Sequence, residues 1–319
     1  MAQRVLYFYA MNNKLLVLGT MAYDAIETPF GKTGRILGGC ATYIGLAASH
    51  FKTECGLISI IGSDFEYKHL SLLKDKKLDL EGVVQLEGEK TFFWSGKYHN
   101  DLNTRTTLDT QLNVLTKFNP KVPLKYKDSS VVLLGNLDPN IQLKVLDQMS
   151  NKPDLVIMDT MNFWIESYRE KLDELTARVD VISINDEEAR QLTQKHSLVE
   201  AAQDLMSQGP QYVIIKKGEH GALLFHGNDI FCAPGLPLEE VFDPTGAGDS
   251  FIGGFTAFLV QQEKISFEEM KTAVIVGSAM ASFTVQEFGT KALEKLTYRE
   301  LVQRIQSFKA LTEFEIELI

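Results

Sequence analysis

Residues 243–255 read Asp-Pro-Thr-Gly-Ala-Gly-Asp-Ser-Phe-Ile-Gly-Gly-Phe, and this stretch carries the strongest signal in the chain. Glycines at 246 and 248 permit tight backbone turns, so the amides of Gly246, Ala247 and Gly248 can converge on one point. Asp249 follows at the predicted start of a helix. The free amides and the positive dipole end of a helix N-terminus favour an anion, particularly a phosphate group.

A carboxylate beside a phosphate-binding turn repels its ligand unless it has a chemical task. Asp249 suits a general base that takes a proton from a hydroxyl group while the amides hold the charge of a transferring phosphoryl group. The alternative is that Asp249 only caps the helix after a glycine turn. Gly253 and Gly254 disfavour that alternative, because each glycine inside a helix costs about 0.5–1 kcal/mol relative to alanine and implies a close approach of backbone or ligand.

The composition is that of an ordinary globular protein. Hydrophobic residues make up 45% of the 319 residues and charged residues 23%, with a formal net charge of −10. Without a basic block, nucleic acid and anionic membranes are disfavoured as partners. Cys40, Cys55 and Cys232 are widely spaced, which fits a reducing compartment and predicts no metal site. No run approaches the roughly 18 apolar residues of a membrane span. We therefore expect a cytoplasmic protein, with either Met1 or Met11 as its first residue.

Short apolar runs alternate with helical patterns along most of the chain. This alternation predicts a parallel sheet covered by helices on both faces, with ligands bound beyond the carboxyl ends of the strands. Strands are predicted at 15–19, 55–61, 130–134, 155–159, 179–184, 212–215 and 222–225, and helices at 41–51, 65–76, 139–149, 186–194, 199–207, 249–262 and 267–283.

Two segments interrupt this alternation. Residues 25–37 are polar and extended, and residues 80–110 alternate apolar and polar positions in the manner of strands. We expect both to form a small sheet that covers the crevice as a lid. The chain contains no linker or internal repeat, so residues 1–319 are predicted to form a single domain.

The 243–255 stretch resembles the C-terminal signature of the PfkB (ribokinase-like) family of carbohydrate and nucleoside kinases. Residues 38–43, Gly-Gly-Cys-Ala-Thr-Tyr, are similar to the N-terminal Gly-Gly motif of that family. The resemblance implies a ribokinase-like three-layer α/β/α sandwich with a mostly parallel central sheet and a small β-sheet lid. It also implies transfer of the ATP γ-phosphate to an alcohol, with Asp249 as the base.

The resemblance further assigns residues to the acceptor site. Family members carry an aspartate at the position of Asp24 that binds substrate hydroxyls, although alone it would pass for a turn residue. Ribose-binding relatives have asparagine where this chain has Tyr43, whose ring cannot reproduce amide hydrogen bonds, so we expect an acceptor other than free ribose. The predicted acceptor-binding residues are Asp24, Gly38, Gly39, Tyr43, Phe93 and Asn136.

On the nucleotide side, Asn185 and Glu188 have the spacing of the family's NxxE motif, which organises Mg²⁺ and the phosphates through water. The same spacing is that of a helix capping box, and both interpretations can hold together. Lys216 stands where the family usually has threonine, and it either pairs with phosphate or lies in solvent. The predicted ATP-binding residues are Asn185, Lys216, Gly218, Gly221 and Ser278, although Gly218 and Gly221 also suit a hairpin and Ser278 also suits close helix packing.

In some relatives, the stretch that corresponds to Asp243 and Thr245 contributes to a monovalent cation site. The resemblance therefore extends to K⁺ as a cofactor beside ATP and Mg²⁺. It also extends to a homodimer that associates through the lid.

Three functions remain open on these grounds. A kinase for a sugar or polyol leads, and a nucleoside kinase of the same superfamily is the alternative, because lid aromatic residues can stack on a base. A non-catalytic binding protein is disfavoured, since Asp249 and both glycines of the turn are intact. A dehydrogenase is disfavoured because no GxGxxG follows the first strand.

Overall fold

The computed structural model describes residues 14–313, so the choice between Met1 and Met11 lies outside the described residues. The strands are β1 (Lys14–Leu18), β2 (Ala22–Thr28), β3 (Gly31–Lys32), β4 (Ile36–Gly38), β5 (Glu54–Gly62), β6 (Asp79–Leu86), β7 (Phe93–Tyr98), β8 (Arg105–Gln111), β9 (Val131–Leu134), β10 (Leu155–Asp159), β11 (Val181–Asn185), β12 (Tyr212–Lys216), β13 (Ala222–His226) and β14 (Asp229–Ala233).

The α-helices are α1 (Cys40–Ala48), α2 (Tyr67–Asp75), α3 (Pro139–Leu146), α4 (Asn162–Ser167), α5 (Arg169–Thr176), α6 (Asp186–Thr193), α7 (Leu198–Gln208), α8 (Ala247–Leu259), α9 (Phe267–Thr284), α10 (Lys291–Lys295) and α11 (Tyr298–Thr312). Short 3₁₀ helices cover Asn113–Lys117, Leu124–Tyr126 and Gly218–His220. No helix in this described part of the chain is both long enough and apolar enough to cross a membrane.

The central sheet has nine strands in the order β14-β13-β12-β11-β10-β9-β1-β5-β6, and all neighbours from β12 to β6 are parallel. Alternate residues of β1 pack into the two apolar cores on opposite faces of this sheet. Leu15 and Val17 pack with α1, α8 and α9, whereas Leu16 and Leu18 pack with α3, α5 and α7. A sheet with an apolar core on each face is the predicted three-layer α/β/α sandwich.

The two glycines inside α8 make close contact with neighbouring helices. A Cβ atom at Gly253 would lie 2.7 Å from the backbone oxygen of Ile44 in α1, and one at Gly254 would lie 2.6 Å from Cγ of Met280 in α9. The close approach inferred from sequence is therefore helix packing. It holds the N-terminus of α8 firmly against its neighbours.

A second sheet of five strands stands apart, with the order β3-β2-β7-β8 and with β4 paired to β2. The expectation that the whole of 80–110 belongs to this sheet was wrong for β6. That strand pairs in parallel with β5, and Leu80 and Val83 pack on the main core. Burial of these side chains on the central sheet decides where β6 pairs. The lid is therefore built from 22–38 and 93–111.

Candidate active site

Neighbouring parallel strands of the central sheet end at one crevice. Asp159 is the last residue of β10, Asn185 of β11 and Lys216 of β12, and these three strands are adjacent. The N-terminus of α8 faces the same crevice, with Asp249 in its first turn. This is the place where ligands bind in open parallel sheets.

The turn before α8 has the geometry that the sequence predicted. Gly246 is the N-cap residue with φ 77°, a left-handed conformation, and a Cβ atom there would lie 2.4 Å from the ring of Tyr43. Only glycine fits such a position. Within residues 14–313, the amides of Gly246, Gly248 and Asp249 have no protein acceptor, whereas the Ala247 amide donates to the carbonyl of Pro244 at 3.2 Å.

This pattern distinguishes the Ala247 amide from the other amides of the turn. Ala247 was expected to contribute its amide, but that amide already serves the turn. The Asp249 amide is free beside those of Gly246 and Gly248, and the anion hole itself stays a prediction. The helix also begins at Ala247, two residues before the predicted start.

Asp249 is half-buried, and its pKa is raised to about 7. Burial is the main cause, the carboxylate of Asp159 adds to it, and the cations Lys216 and Arg105 oppose it. A carboxylate with a pKa near neutrality is a far better proton acceptor than an ordinary aspartate. This is the property that a general base needs.

Lys216 lies inside the site rather than in solvent. Its Nζ atom is 3.3 Å from Oδ1 of Asp159, and the side chains are 17% and 8% exposed. A Cβ atom at Gly248 would lie 3.3 Å from the same Nζ, which places the cation beside the anion hole. Burial alone would lower the pKa of Lys216, but the carboxylates of Asp159, Glu188 and Asp249 together raise it, so the amine is charged.

Asp159 was not predicted from the sequence. The sequence did contain a signal for it: Asp159 is a charged residue at the end of an otherwise apolar strand, at the edge of the sheet where ligands bind. The sequence alone did not show which residue it would meet.

The capping interpretation of Asn185 and Glu188 is confirmed by reciprocal hydrogen bonds. The Glu188 amide donates to Oδ1 of Asn185 at 2.7 Å, and the Asn185 amide donates to Oε2 of Glu188 at 2.8 Å. Glu188 is also buried, and its pKa is raised to about 7 by burial first and by Asp159 second. The cap therefore contains a carboxylate at the edge of the crevice.

These acidic groups fit a magnesium ion that is held through water. Among the described residues, no group of three or more His, Cys, Asp or Glu side chains could hold a metal directly. However, the raised pKa values of Glu188 and Asp249 arise in part from Asp159, so the negative charge of the cluster exceeds what Lys216 neutralises. A hydrated divalent cation beside Asn185 and Glu188 would supply the missing positive charge.

Asp24 is buried beside the glycine pair that precedes α1. It is 5% exposed, and its pKa is raised to about 7 by burial and then by Asp243 and Asp249, while a hydrogen bond from the Gly39 amide opposes the shift. A Cβ atom at Gly38 would lie 2.0 Å from Oδ2 of Asp24. The glycine pair therefore leaves room for this carboxylate.

Tyr43 fills the space beneath the anion-hole turn. It is 1% exposed, its ring contacts Gly246, and its hydroxyl has no hydrogen-bond partner among the described residues. Burial raises the pKa of this phenol, and the carboxylates of Asp24, Asp243 and Asp249 raise it further. The hydroxyl therefore lies among the acidic groups of the site, while the ring stays out of the crevice.

Phe93 does not lie where the sequence analysis placed it. Tyr23 pairs with Phe93 and Asp24 pairs with Trp94 in the parallel register of β2 and β7, so Trp94 shares the face of Asp24. Phe93 points the other way, towards Arg35 and the core. On the Asp24 face, the Trp94 ring lies against Gly96, and its Nε1 donates to Oγ1 of Thr107 at 3.4 Å.

Asn136 follows β9 and is half-buried. Its Oδ1 accepts a hydrogen bond from Nε1 of Trp164 at 2.9 Å, and its backbone oxygen is 3.5 Å from Sγ of Cys40. The residue thus lies next to the start of α1, near the glycine pair. Trp164 belongs to α4, a helix that the sequence analysis did not predict.

The remaining nucleotide-side residues lie at the β12–β13 turn and on α9. Gly218 and Gly221 have φ values of 56° and 85°, and they flank a short 3₁₀ turn between antiparallel strands. Ser278 is half-buried on α9, next to Gly277, where a Cβ atom would lie 2.6 Å from the backbone oxygen of Phe251. Hairpin geometry and close helix packing thus explain these residue types, and their roles towards ATP stay predictions.

Asp243 links two loops beside the site. Its Oδ1 accepts from the Thr245 amide and its Oδ2 from the Gly289 amide, both at 2.9 Å, and the residue is fully buried. The Thr245 hydroxyl in turn donates to the Tyr98 hydroxyl of the lid at 3.3 Å. The K⁺ site predicted here stays a prediction.

The fold, the anion-hole turn and the carboxylate beside it define a ribokinase-type kinase, a phosphotransferase with an alcohol group as acceptor. The chain belongs to the pfkB family of carbohydrate kinases, whose family model matches residues 12–296.

Named relatives act on different acceptors. The chain is 32% identical to a cytidine kinase of Thermococcus kodakarensis over 76% of this chain and 87% of the relative. It is 23% identical to an inositol 3-kinase of Arabidopsis thaliana over 93% of this chain and 81% of the relative. It is similar in fold to a putative ribokinase II from E. coli in complex with ATP and Mg²⁺, with TM-score 0.75, 19% identity and coverage of 92% of this chain and 99% of the other.

Proposed function

We propose that this kinase transfers the γ-phosphate of ATP to a hydroxyl group of a nucleoside, with Asp249 as the general base. One observation supports this phosphoryl transfer most directly. A carboxylate with a pKa raised to about 7 stands in the first turn of α8, next to the unpaired amides of Gly246 and Gly248. No purely structural role requires a proton acceptor beside an anion hole.

In the proposed step, Asp249 takes the proton of the acceptor hydroxyl. The oxygen of that hydroxyl forms a bond to the γ-phosphorus, and the bond from that phosphorus to the β–γ bridging oxygen breaks, so ADP leaves with the electron pair. The Gly246 and Gly248 amides and Lys216 stabilise the charge on the transferring group. Asn185 and Glu188 would hold Mg²⁺ through water, and the bound ion would neutralise charge on the phosphates.

The choice of a nucleoside as acceptor rests on the residues around Asp24. The sequence alone favours a sugar or polyol, because Tyr43 replaces an asparagine. The Tyr43 ring lies beneath Gly246 and leaves the crevice open, which removes that argument against a ribose group. Asp24 suits ribose hydroxyls, and the Trp94 ring on the same face suits a stacked base. The 32% identity to a cytidine kinase supports the same choice.

A sugar or polyol is the second candidate. Asp24 beside the glycine pair suits the hydroxyls of a sugar or polyol as well as those of a ribose group. The similarity to an inositol 3-kinase supports this candidate. The homodimer through the lid is also a proposal, and the oligomeric state in solution tests it.

The test is ATP consumption by the purified protein with cytidine, other nucleosides, free ribose, hexoses and inositol as acceptors. We expect a nucleoside to give the highest kcat/KM. If a free sugar or a polyol gives a higher kcat/KM than every nucleoside, the nucleoside proposal is refuted and the second candidate is supported. An Asp24→Ala variant should raise the KM of the acceptor far more than that of ATP, and equal effects on both would contradict the role of Asp24.

A further inference from the structure

The indole of Trp164 links the segments that follow β9 and β10. Trp164 is on α4, directly after β10, and its ring packs against two aromatic neighbours. The ring centroid of Phe163 is 4.8 Å away and that of Tyr168 is 5.3 Å away. The polar atom of the indole, Nε1, donates to Oδ1 of Asn136, which follows β9. A side-chain hydrogen bond therefore joins the two segments across the strand ends.

Asn136 stands at the topological switch point of the central sheet. From β1 the chain continues to β5 and β6 on one side, whereas β9 and β10 lie on the other, so the strand order reverses between β1 and β9. Open parallel sheets bind ligands beyond the strand ends at such a point. The backbone oxygen of Asn136 is 3.5 Å from Sγ of Cys40, the first residue of α1. Asn136 therefore lies next to the glycine pair that faces Asp24.

The two ends of the Trp164–Asn136 hydrogen bond are held by a common buried side chain. Gln142 of α3 is fully buried, and its Nε2 atom donates to the backbone oxygens of Gly135 at 2.9 Å and of Asp159 at 3.2 Å. The ends of β9 and β10 are therefore fixed relative to each other. The Asn136 side chain is attached to a rigid part of the crevice.

The hydrogen bond from Trp164 also determines the orientation of the Asn136 amide. An indole N–H can only donate, so the carboxamide atom that faces it is the oxygen, and the NH₂ group faces away. Within residues 14–313, Nδ2 of Asn136 donates to no acceptor, and it is not one of the unpaired atoms that are closed off from solvent. The amide donors of Asn136 are thus both accessible and uncommitted at the switch point.

We propose that Trp164 is a positioning residue that holds the Asn136 amide with its NH₂ group towards the acceptor, so that this part of the acceptor site recognises a lone pair. The inference rests on the proposed function. Asp24, when ionised, only accepts hydrogen bonds, whereas Asn136 in this orientation only donates them. The acceptor must therefore present a donor to Asp24 and an oxygen or nitrogen lone pair to Asn136. In a nucleoside, a ribose hydroxyl or a carbonyl oxygen of the base meets the second requirement.

The first test compares Trp164→Phe with Phe163→Leu, a change of the neighbouring aromatic residue. Trp164→Phe keeps an aromatic ring in the cluster and removes the N–H donor. We expect it to raise the KM of cytidine by about 10-fold, as the loss of one well-placed hydrogen bond does, with kcat and the KM of ATP close to those of the wild type. Phe163→Leu should leave all three unchanged. A cytidine KM that is equal in the two variants, or an equal rise in the KM of ATP, would overturn the proposal.

A second variant tests the polarity of the site. Asn136→Asp keeps an oxygen that can accept from Trp164 and replaces the NH₂ group by a second oxygen. We expect it to raise the KM of cytidine more than Trp164→Phe does. The double variant should be little worse than Asn136→Asp alone, because Trp164 acts through Asn136. Full additivity of the two changes, or a KM of the wild type in Asn136→Asp, would contradict this role.

Acceptor binding without ATP separates this inference from the proposed function. Calorimetric titration with cytidine and with inositol measures the affinity of the acceptor site independently of phosphoryl transfer. If the wild type binds inositol and not cytidine, and Trp164→Phe and Asn136→Asp both weaken that binding, the nucleoside proposal is refuted and the role of Trp164 is retained. If cytidine binds equally to the wild type and to both variants, the role of Trp164 is overturned and the proposed function stands.

Discussion

The Nζ atom of Lys216 lies 3.3 Å from Oδ1 of Asp159, and both side chains are largely buried at the ends of adjacent parallel strands. This ion pair lies beside the turn before α8, since a Cβ atom at Gly248 would lie 3.3 Å from the same Nζ. It keeps one positive charge in a crevice that is otherwise lined by carboxylates.

Replacement of Lys216 by methionine should therefore change both ATP use and proton transfer. We expect kcat/KM for ATP to fall by at least about 10-fold, because a charge-assisted contact to phosphate is lost. The pH profile of kcat/KM should move to higher pH, because Lys216 lowers the pKa of Asp249. Lys217→Met, a change of the next residue, is the control. An unshifted profile in Lys216→Met would argue that the amine does not act on Asp249.

Asp249→Asn removes the proposed base and keeps the shape of the side chain. We expect turnover to fall by at least about 100-fold while ATP affinity and the melting temperature stay close to those of the wild type. In the wild type, kcat/KM should rise with pH through about 7, because the base acts when deprotonated. Turnover near that of the wild type in the variant would refute the assignment.

Variants of Glu188 and Asn185 distinguish a role in capping α6 from a role in ordering Mg²⁺. Glu188→Gln keeps a side-chain oxygen that can accept the hydrogen bond from the Asn185 amide and removes the charge. We expect a higher Mg²⁺ requirement and a lower kcat with little change in melting temperature. Asn185→Ala should instead cost about 0.5–2 kcal/mol of stability through the lost cap. If kcat in Glu188→Gln falls only as far as stability does, the residue serves only as a cap.

The acidic cluster predicts an unusual dependence of stability on pH. Asp24, Glu188 and Asp249 have pKa values of about 7 in the folded protein, well above those of exposed carboxyls. Between the unfolded and the folded pKa values the folded state binds more protons, so its stability falls as pH rises from about 4 to 7. Melting of the ligand-free protein at pH 5.5 and 7.5 tests this, and Asp24→Asn should flatten the difference. Greater stability at pH 7.5, with no flattening, would show that these groups ionise freely.

Phe93 and Trp94 form a matched pair on opposite faces of β7. Trp94→Ala should raise the acceptor KM, since the ring lies on the face of Asp24. Phe93→Ala should instead lower the melting temperature, because that ring packs on the core and beside Arg35. The comparison uses steady-state kinetics and thermal unfolding of both variants. An acceptor KM that rises more in Phe93→Ala would reverse the assignment of the two faces.

The features that the sequence predicted well are local. Gly246 needs a left-handed backbone, Asn185 and Glu188 form their cap within four residues, and the apolar run of β1 is buried on both faces. In each case the physical cause acts between residues that are close along the chain. Composition and spacing therefore sufficed for the fold class and for the conformation of the turn before α8.

What only the tertiary structure decided depends on pairing between distant segments. The pairing of β6 with β5, the face on which Phe93 lies and the meeting of Asp159 with Lys216 are set by strand partners and register. A shift of one residue in register moves every side chain of a strand to the other face, and nothing within 80–110 shows which partner will bury it.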